Sequence, residues 1–458
     1  MNLIGETTEY DKKEKLEEKD PRSWIKSVSA FANGIGGMLI FGIEDKTDRI
    51  VGLSDAEGDA EKISRFLRER MDPIPSFTLK FEKIDDKVLI ILRVEPGKET
   101  PYFYIGKNER TAYHRVGNDS QRCDGTKLKE LVLRGSSRSF DSLPSGYDFE
   151  KMSFTKLISV YYQRAHKELL NTDYESFGII DGNGELTNAG ALLADNCPIY
   201  QSRLFCTRWN GLNKAAGLQD AIDDAEFTGS LVSLLQESEA FVKRNSHKGW
   251  FKAPDRRIEL PDYPERSVTE GIVNALIHRN YLEVGSEVHI DMFDDRLEIY
   301  SPGGMYDGIN VQDRDIMAIP SRRRNPIIAD IFQRLVYMER RGSGFKKIIE
   351  DYHNQHNYTE EMEPIFKSEH DAFFLTLKNL NYTNKPARRG TLKSEEVVER
   401  AEMLLEYLRE KPESTIKQLM NEFNLSEKKI KNALDYLKDN DRLYHDGPKR
   451  KGRWIINE

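Results

Sequence analysis

The run Glu270-Gly271-Ile272-Val273-Asn274-Ala275-Leu276-Ile277-His278-Arg279 constrains the chain more than any other. At about 100° per residue a helix brings Glu270, Asn274 and His278, spaced i, i+4 and i+8, onto one stripe. Val268, Ile272, Val273, Leu276 and Ile277 fall mostly on the other side. The pattern predicts a helix with its apolar face in a core and a carboxylate, an amide and an imidazole in line opposite. A solvated helix face is ordinarily Lys, Glu and Gln in loose order, so this stripe reads as a site. The alternative is an Asn and a Glu satisfied by neighbouring loops.

The residues that follow sharpen the reading. Val288–Phe293 alternates, Asp294-Asp295 makes a turn, and Arg296–Tyr300 alternates again, which predicts a β-hairpin running into Ser301-Pro302-Gly303-Gly304. Further on, Arg341-Gly342-Ser343-Gly344 opens a helical stretch at Phe345-Lys346-Lys347-Ile348-Ile349. Glycines just before a helix leave backbone N–H groups free to face phosphate oxygens. A lone Gly-x-Gly carries little. A helix with Glu and Asn, a hairpin ending in Gly-Gly, and then Gly-x-Gly at a helix start carry more.

This order resembles the Bergerat-type ATP-binding fold of the GHKL superfamily, an α/β sandwich. The resemblance implies ATP as ligand, Asn274 as a Mg²⁺ ligand on the phosphates and Glu270 as the base for any ATPase activity. It places Gly303 and Gly304 by the adenine, Gly342, Ser343 and Gly344 by the phosphates, and His278 on the same wall. One position departs. Where the superfamily has an Asp that hydrogen-bonds the adenine amino group, this chain has Ser301.

At 458 residues the chain has room for about three domains at ~150 residues each. No run approaches the ~20 apolar residues of a membrane span. The start, Met1-Asn2-Leu3-Ile4-Gly5-Glu6, has no signal-peptide character. Cys123, Cys197 and Cys206 are scattered without zinc-ligand spacing. The expectation is a cytoplasmic protein with no membrane partner.

Net charge is −8, which argues against a uniformly cationic nucleic-acid binder but not against a local patch. Residues 428–458 hold nine Lys/Arg against five Asp/Glu, and that reversal of sign points to a nucleic-acid surface. Residues 381–393 read as a linker. After it come helical periods over Val397–Leu408, Ile416–Phe423 and Ile430–Leu437, the third with Ser426 as N-cap. Leu443-Tyr444-His445, a basic loop and Trp454-Ile455-Ile456 then follow. This resembles a winged helix-turn-helix domain over 394–458. The resemblance puts Lys428, Lys429 and Lys431 by the groove-facing side of a recognition helix, with Arg450 and Lys451 on the wing. Phosphate contacts of that kind bring affinity but little sequence choice. The competing readings are a protein-contact winged helix and a solvated charged face.

At the other end a helix is expected from near Pro21 to Asn33. Gly34-Ile35-Gly36-Gly37 breaks it, and strands are expected at Met38–Ile43, Phe77–Ile84 and Val88–Val94. The string Phe31-Ala32-Asn33-x-x-Gly36-Gly37-x-x-x-Phe41-Gly42-Ile43-x-Asp45 resembles the AlbA-type nucleic-acid-binding domain shared by bacterial regulators and Schlafen proteins. From about residue 5 to 380 the chain then resembles a bacterial, RecG-related family of AlbA-type, ATP-binding transcriptional regulators, in which the tail domain is variable. The implied fold is α+β and multidomain. An AlbA/Schlafen-like domain occupies 1–135, a linker module 136–260, a GHKL-like ATP-binding domain 261–380 and a winged helix the tail.

Nuclease-active Schlafens hold a divalent metal on two N-terminal glutamates and an aspartate after the Phe-Gly strand. The matching positions here are Glu6, Glu9 and Asp45, which by that resemblance could hold Mg²⁺ or Mn²⁺ and activate water. The two glutamates are closer than the usual pair, and Asp11 stands where the family has Lys. Arg322-Arg323-Arg324, between the glycine motifs, is placed either on nucleotide phosphates or in a solvated loop.

Two functions follow. The first is a regulator whose ATP occupancy controls DNA or RNA binding, with lid closure over phosphate as the means. The second is a nucleotide-gated, metal-dependent nuclease in phage defence. A histidine kinase is disfavoured, because no dimerisation helix with a phosphoacceptor His precedes the ATP motif. A homo-oligomer is expected only by analogy.

Overall fold

The helix expected from Pro21 forms over Arg22–Ala32, with Pro21 at its N-cap, and it buries Trp24, Ile25, Val28 and Phe31 completely. In this computed structural model the described residues are 8–45, 47–214, 221–252, 256–338, 344–382, 395–439, 442–446 and 452–457. They fall into two units, residues 1–250 with 259–382, and residues 251–258 with 383–458. Among them, no helix is long and apolar enough to cross a membrane.

In the N-terminal segment one four-stranded sheet runs in the order Tyr10–Lys13, Gly37–Phe41, Lys87–Val94, Phe77–Ile84. Its first pair is parallel and the others antiparallel. A second sheet joins Met71–Asp72, Phe103–Ile105, Arg110–Val116 and Asp119–Arg122. The Arg22–Ala32 helix packs on strands of both sheets. Asn33, at its C-terminal end, fastens the helix to the second sheet. Its Nδ2 donates to Tyr102 O at 2.9 Å and Tyr113 O at 3.0 Å, and its Oδ1 accepts from Tyr102 N at 2.7 Å. A buried amide must find such partners or be destabilising, so Asn33 fixes one register of helix against sheet.

From Phe154 to Leu380 one continuous apolar core forms. Its six-stranded sheet has the order Ala221–Thr228, Arg203–Trp209, Val288–Met292, Arg296–Pro302, Ala372–Lys378, Ile365–Ser368. The expected hairpin is there, with His289 opposite Tyr300 and Met292 opposite Leu297. Val288–Met292 also pairs in parallel with Arg203–Trp209. The first two strands therefore come from residues assigned above to a separate linker module. A sheet with strands from both sides of residue 260 makes 136–260 and 261–380 share one core. Arg203–Trp209 buries Leu204, Cys206, Thr207 and Trp209, and which sheet it joins depends on long-range pairing.

The helix carrying the polar stripe forms over Glu265–His278, and Val268, Ile272, Val273, Leu276 and Ile277 are buried as the pattern requires. The helices Leu231–Arg244 and Gly344–His353 pack against it.

The C-terminal unit has helices at Glu395–Glu410, Ile416–Phe423 and Glu427–Asp439, then antiparallel strands Leu443–Asp446 and Arg453–Ile456. Asn424, in the left-handed region at φ 49°, turns the chain between the second and third helices. Leu404, Leu408, Leu419, Ile430, Leu434 and Leu437 build its core. Trp454 closes it, donating Nε1–H to Ser414 O at 2.9 Å.

Candidate functional site

Between the Glu265–His278 helix and the six-stranded sheet lies a cavity of about 140 Å³. Glu270, Asn274, His278, Ser301, Gly303, Gly304 and Gly344, each singled out in the sequence, all line it. Gly342 and Ser343 lie outside the described residues. Residues 70 positions apart thus meet because the helix and the Gly344–His353 helix pack on one face of the sheet.

Glu270 and Asn274 adjoin, with Asn274 Nδ2 3.4 Å from Glu270 Oε1. Gly344 closes directly on this pair. A Cβ there would stand 2.8 Å from Glu270 Oε1 and 3.0 Å from Asn274 Nδ2. Only glycine brings the start of a helix, with its free N–H groups, so near a carboxylate and an amide. The residues fit a hard cation bound together with phosphate oxygens, since Asn274 supplies a neutral oxygen and the helix start favours anions.

Gly303 and Gly304 form the opposite wall. Gly303 has φ +100°, in the region that disfavours a side chain, and a methyl group there would overlap Arg324 Nη1. A methyl group at Gly304 would overlap the Glu369 carbonyl oxygen. Arg324 braces this wall, donating to His278 O at 2.9 Å and to Gly304 O at 2.8 Å. Burial pushes its pKa down from the ordinary value. Arg324 is therefore spent on backbone carbonyls, while Arg322 lines the cavity. Burial, and then the positive charges of Arg324 and Arg323, push the His278 imidazole down to about 4, so it is neutral at physiological pH.

Ser301 is buried and donates its hydroxyl to Ala275 O at 2.8 Å. The carboxylate on this wall is Asp307, which accepts from Arg314 Nη2 at 2.5 Å and lies 4.0 Å from Arg322 Nη1. Asp307, Tyr306 and Lys347, not anticipated from the sequence, also line the cavity. Lys347 lines both this cavity and an adjoining one that also touches Glu270. Its signal was its place one helical turn after Gly344. Phe366, Phe373 and Leu375 make the apolar floor.

The N-terminal carboxylates are arranged differently. Glu6 lies outside the described residues. Glu9 faces the start of the Gly37–Phe41 strand, its carbonyl accepting from Met38 N at 2.8 Å. Asp45 sits exposed in the turn beyond that strand's other end. In the parallel register Tyr10 is opposite Met38 and Lys13 opposite Phe41, so roughly 10 Å of strand separates these two levels at ~3.3 Å per residue. Among the described residues no three His, Cys, Asp or Glu side chains gather as a metal site. Asp11 is buried, accepting from Ser27 Oγ at 2.5 Å and Lys13 Nζ at 2.6 Å, and it is the buried Lys12 that reaches Asp48 at 2.6 Å.

In the C-terminal unit Lys428, Lys429 and Lys431 are all exposed. Lys431 pairs with Glu427 at 2.6 Å. Arg450 and Lys451 lie outside the described residues.

Both halves of this arrangement have counterparts. Residues 6–124 match the family model "Schlafen, AlbA_2", and residues 285–377 match the model described as "Putative ATP-dependent DNA helicase recG C-terminal". The chain thus joins an AlbA_2-type segment to a RecG-related, ATPase-like segment, as its motifs led one to expect. Among solved structures it is similar to the DIP2311 protein of Corynebacterium diphtheriae, at 19% identity over 98% of this chain and 92% of that one, with TM-score 0.44. It is also similar to the N-terminal domain of a RecG-related protein of Nitrosomonas europaea, at 26% identity over 27% of this chain and 88% of that one, with TM-score 0.21.

Proposed function

We propose that this chain is a cytoplasmic, nucleic-acid-binding regulator in which ATP, held with Mg²⁺ in the cavity beside the Glu265–His278 helix, controls how nucleic acid is bound. The observation that carries the reading is the convergence of Glu270, Asn274 and Gly344. Asn274 and the N–H groups at Gly344 hold the phosphate end, and Lys347 and Arg322 offset its charge. When bound, Mg²⁺ supplies a Lewis acid on the phosphate oxygens. Glu270 is positioned to orient a water and accept its proton, which is the basis for any ATPase activity. The apolar floor receives the base.

The match of residues 6–124 supports nucleic acid as the partner of the N-terminal segment. The C-terminal unit, read as a winged helix, adds phosphate-backbone contacts from Lys428, Lys429 and Lys431. The test is calorimetric titration of the full chain with MgATP, beside Asn274→Ala. Saturable binding that Asn274→Ala abolishes upholds the reading, and equal binding by both proteins sinks it.

The nuclease reading rests on Glu6, Glu9 and Asp45 by resemblance. Incubation with tRNA, single-stranded RNA and duplex DNA in Mn²⁺ or Mg²⁺, beside Glu9→Ala, decides between the two. Cleavage lost in the variant would make the chain a nuclease. Binding without cleavage leaves the regulator.

A further inference from the structure

The wall formed by Gly303 and Gly304 separates two cavities. On one side is the nucleotide cavity. On the other is a smaller space of about 80 Å³ between the N-terminal and central segments, lined by Asn33, His114 and Glu130 from one and by Asn280 and His370 from the other. Gly303, Met305, Tyr306, Asp307 and Arg324 border both.

The wall has no slack. A Cβ at Gly303 would stand 2.7 Å from Asn280 Cβ, and Asn280 N donates to Pro302 O at 2.8 Å. Gly303 N donates to Asp371 O at 2.6 Å. Close packing of this kind passes a displacement on instead of absorbing it. Asn280 is buried, and its Nδ2 crosses the seam to donate to Glu130 Oε1 at 2.7 Å.

Glu130 stands on the Gly125–Gly135 helix of the N-terminal segment, which is tied to the helix-ending Asn33. Arg134 Nη2 donates to Asn33 O at 2.5 Å, and Thr100 Oγ1 donates to Leu131 O at 2.7 Å. Asn33 in turn holds the strands at Tyr102 and Tyr113. An unbroken path of hydrogen bonds and contacts therefore runs from the nucleotide wall to the Phe-Ala-Asn motif.

We infer that the Glu130–Asn280 hydrogen bond couples nucleotide occupancy to nucleic-acid binding by the N-terminal segment. The inference rests on the function proposed above and names its route. Nucleotide bearing on Gly303 displaces Asn280, and Asn280 moves Glu130 with its helix. Coupling of this kind is reciprocal, so nucleic acid must change nucleotide affinity by the same factor.

The test uses the full chain, with a labelled duplex DNA and a labelled hairpin RNA, with and without a non-hydrolysed ATP analogue and Mg²⁺. In the unmodified protein the analogue is expected to change the affinity for one of these probes by about five-fold or more. Glu130→Ala is expected to bind nucleotide and nucleic acid separately within about two-fold of normal and to lose the dependence of one on the other. Glu130→Gln keeps an acceptor for Asn280 and should retain the dependence, which separates coupling from general damage. Retention of full dependence in Glu130→Ala overturns the inference. So does an unmodified protein that binds both ligands independently, with the nucleotide site left standing. Absence of nucleotide binding removes the proposed function and this inference together.

Discussion

Gly344 meets Glu270 at the edge of the cavity beside the Glu265–His278 helix, so closely that a Cβ on the glycine would lie 2.8 Å from the carboxylate Oε1. The contact joins two motifs that the chain keeps far apart, and it fixes what substitution at either residue does. Gly344→Ala removes a helical glycine, which by itself stabilises by up to ~1 kcal/mol, and the oxygen it meets is the end of a flexible side chain. Thermal stability is therefore expected to change by no more than about 1 kcal/mol. Glu270 is forced to turn, and MgATP affinity is expected to fall about ten-fold or more, since each ~1.4 kcal/mol of lost contact is a factor of ten. Calorimetry and a melt on the same sample separate the two effects.

Gly303→Ala should behave oppositely. The backbone stands at φ +100° and the new methyl overlaps Arg324, whose guanidinium holds two carbonyls. Strain alone costs about 1–3 kcal/mol, and the clash adds to it. A loss of about 2–4 kcal/mol in urea unfolding is expected, along with weakened nucleotide binding. A variant as stable as the unmodified chain would show that the wall gives way easily, and would remove the rigidity on which transmission through Asn280 depends.

His114 provides a pH dependence with a definite sign. It is 6% exposed, stacks on His370 at 5.0 Å and has Nδ1 3.7 Å from Cys123 Sγ. Burial, then Lys127 and His370, lower its pKa to about 4, outweighing Asp124 and Glu130, which raise it. A lowered folded-state pKa makes the unfolded chain bind the proton first as pH falls. The stabilisation is complete above ~6.5 and lost between ~6.5 and ~4, by up to roughly 3 kcal/mol. His114→Gln should flatten that part of the stability curve. Parallel slopes for the two proteins from pH 6.5 to 4.5 would contradict it.

Lys428, Lys429 and Lys431 are exposed on the third helix of the C-terminal unit, away from the buried Ile430, Leu434 and Leu437. Replacing all three by alanine should leave the melting temperature near its value, because exposed charges contribute ~0–1 kcal/mol each. If the unit binds nucleic acid, the slope of log affinity against log salt should drop by roughly 2–3. An unchanged slope would assign this face to protein contacts or to solvent.

Local elements and their chemistry are legible in the residues alone. The stripe of Glu270, Asn274 and His278 follows from helical periodicity, and the Val288–Tyr300 hairpin from alternation around Asp294-Asp295. The Arg22–Ala32 helix follows from Pro21 and the glycines after Asn33. These signals lie within a few residues of each other, where backbone geometry alone links them. The tertiary structure decided everything that depends on distant pairing. It put Arg203–Trp209 and Ala221–Thr228 into the central sheet, brought Gly344 onto Glu270, and turned Arg324 to hold the wall of the cavity. It gave Asp307 and Lys347 places beside the nucleotide motifs, and it laid Glu130 against Asn280, 150 residues away. Such contacts depend on which strands pair and which helices share a face. No local periodicity encodes that choice, because burial and hydrogen-bond satisfaction are settled only once the whole core has assembled.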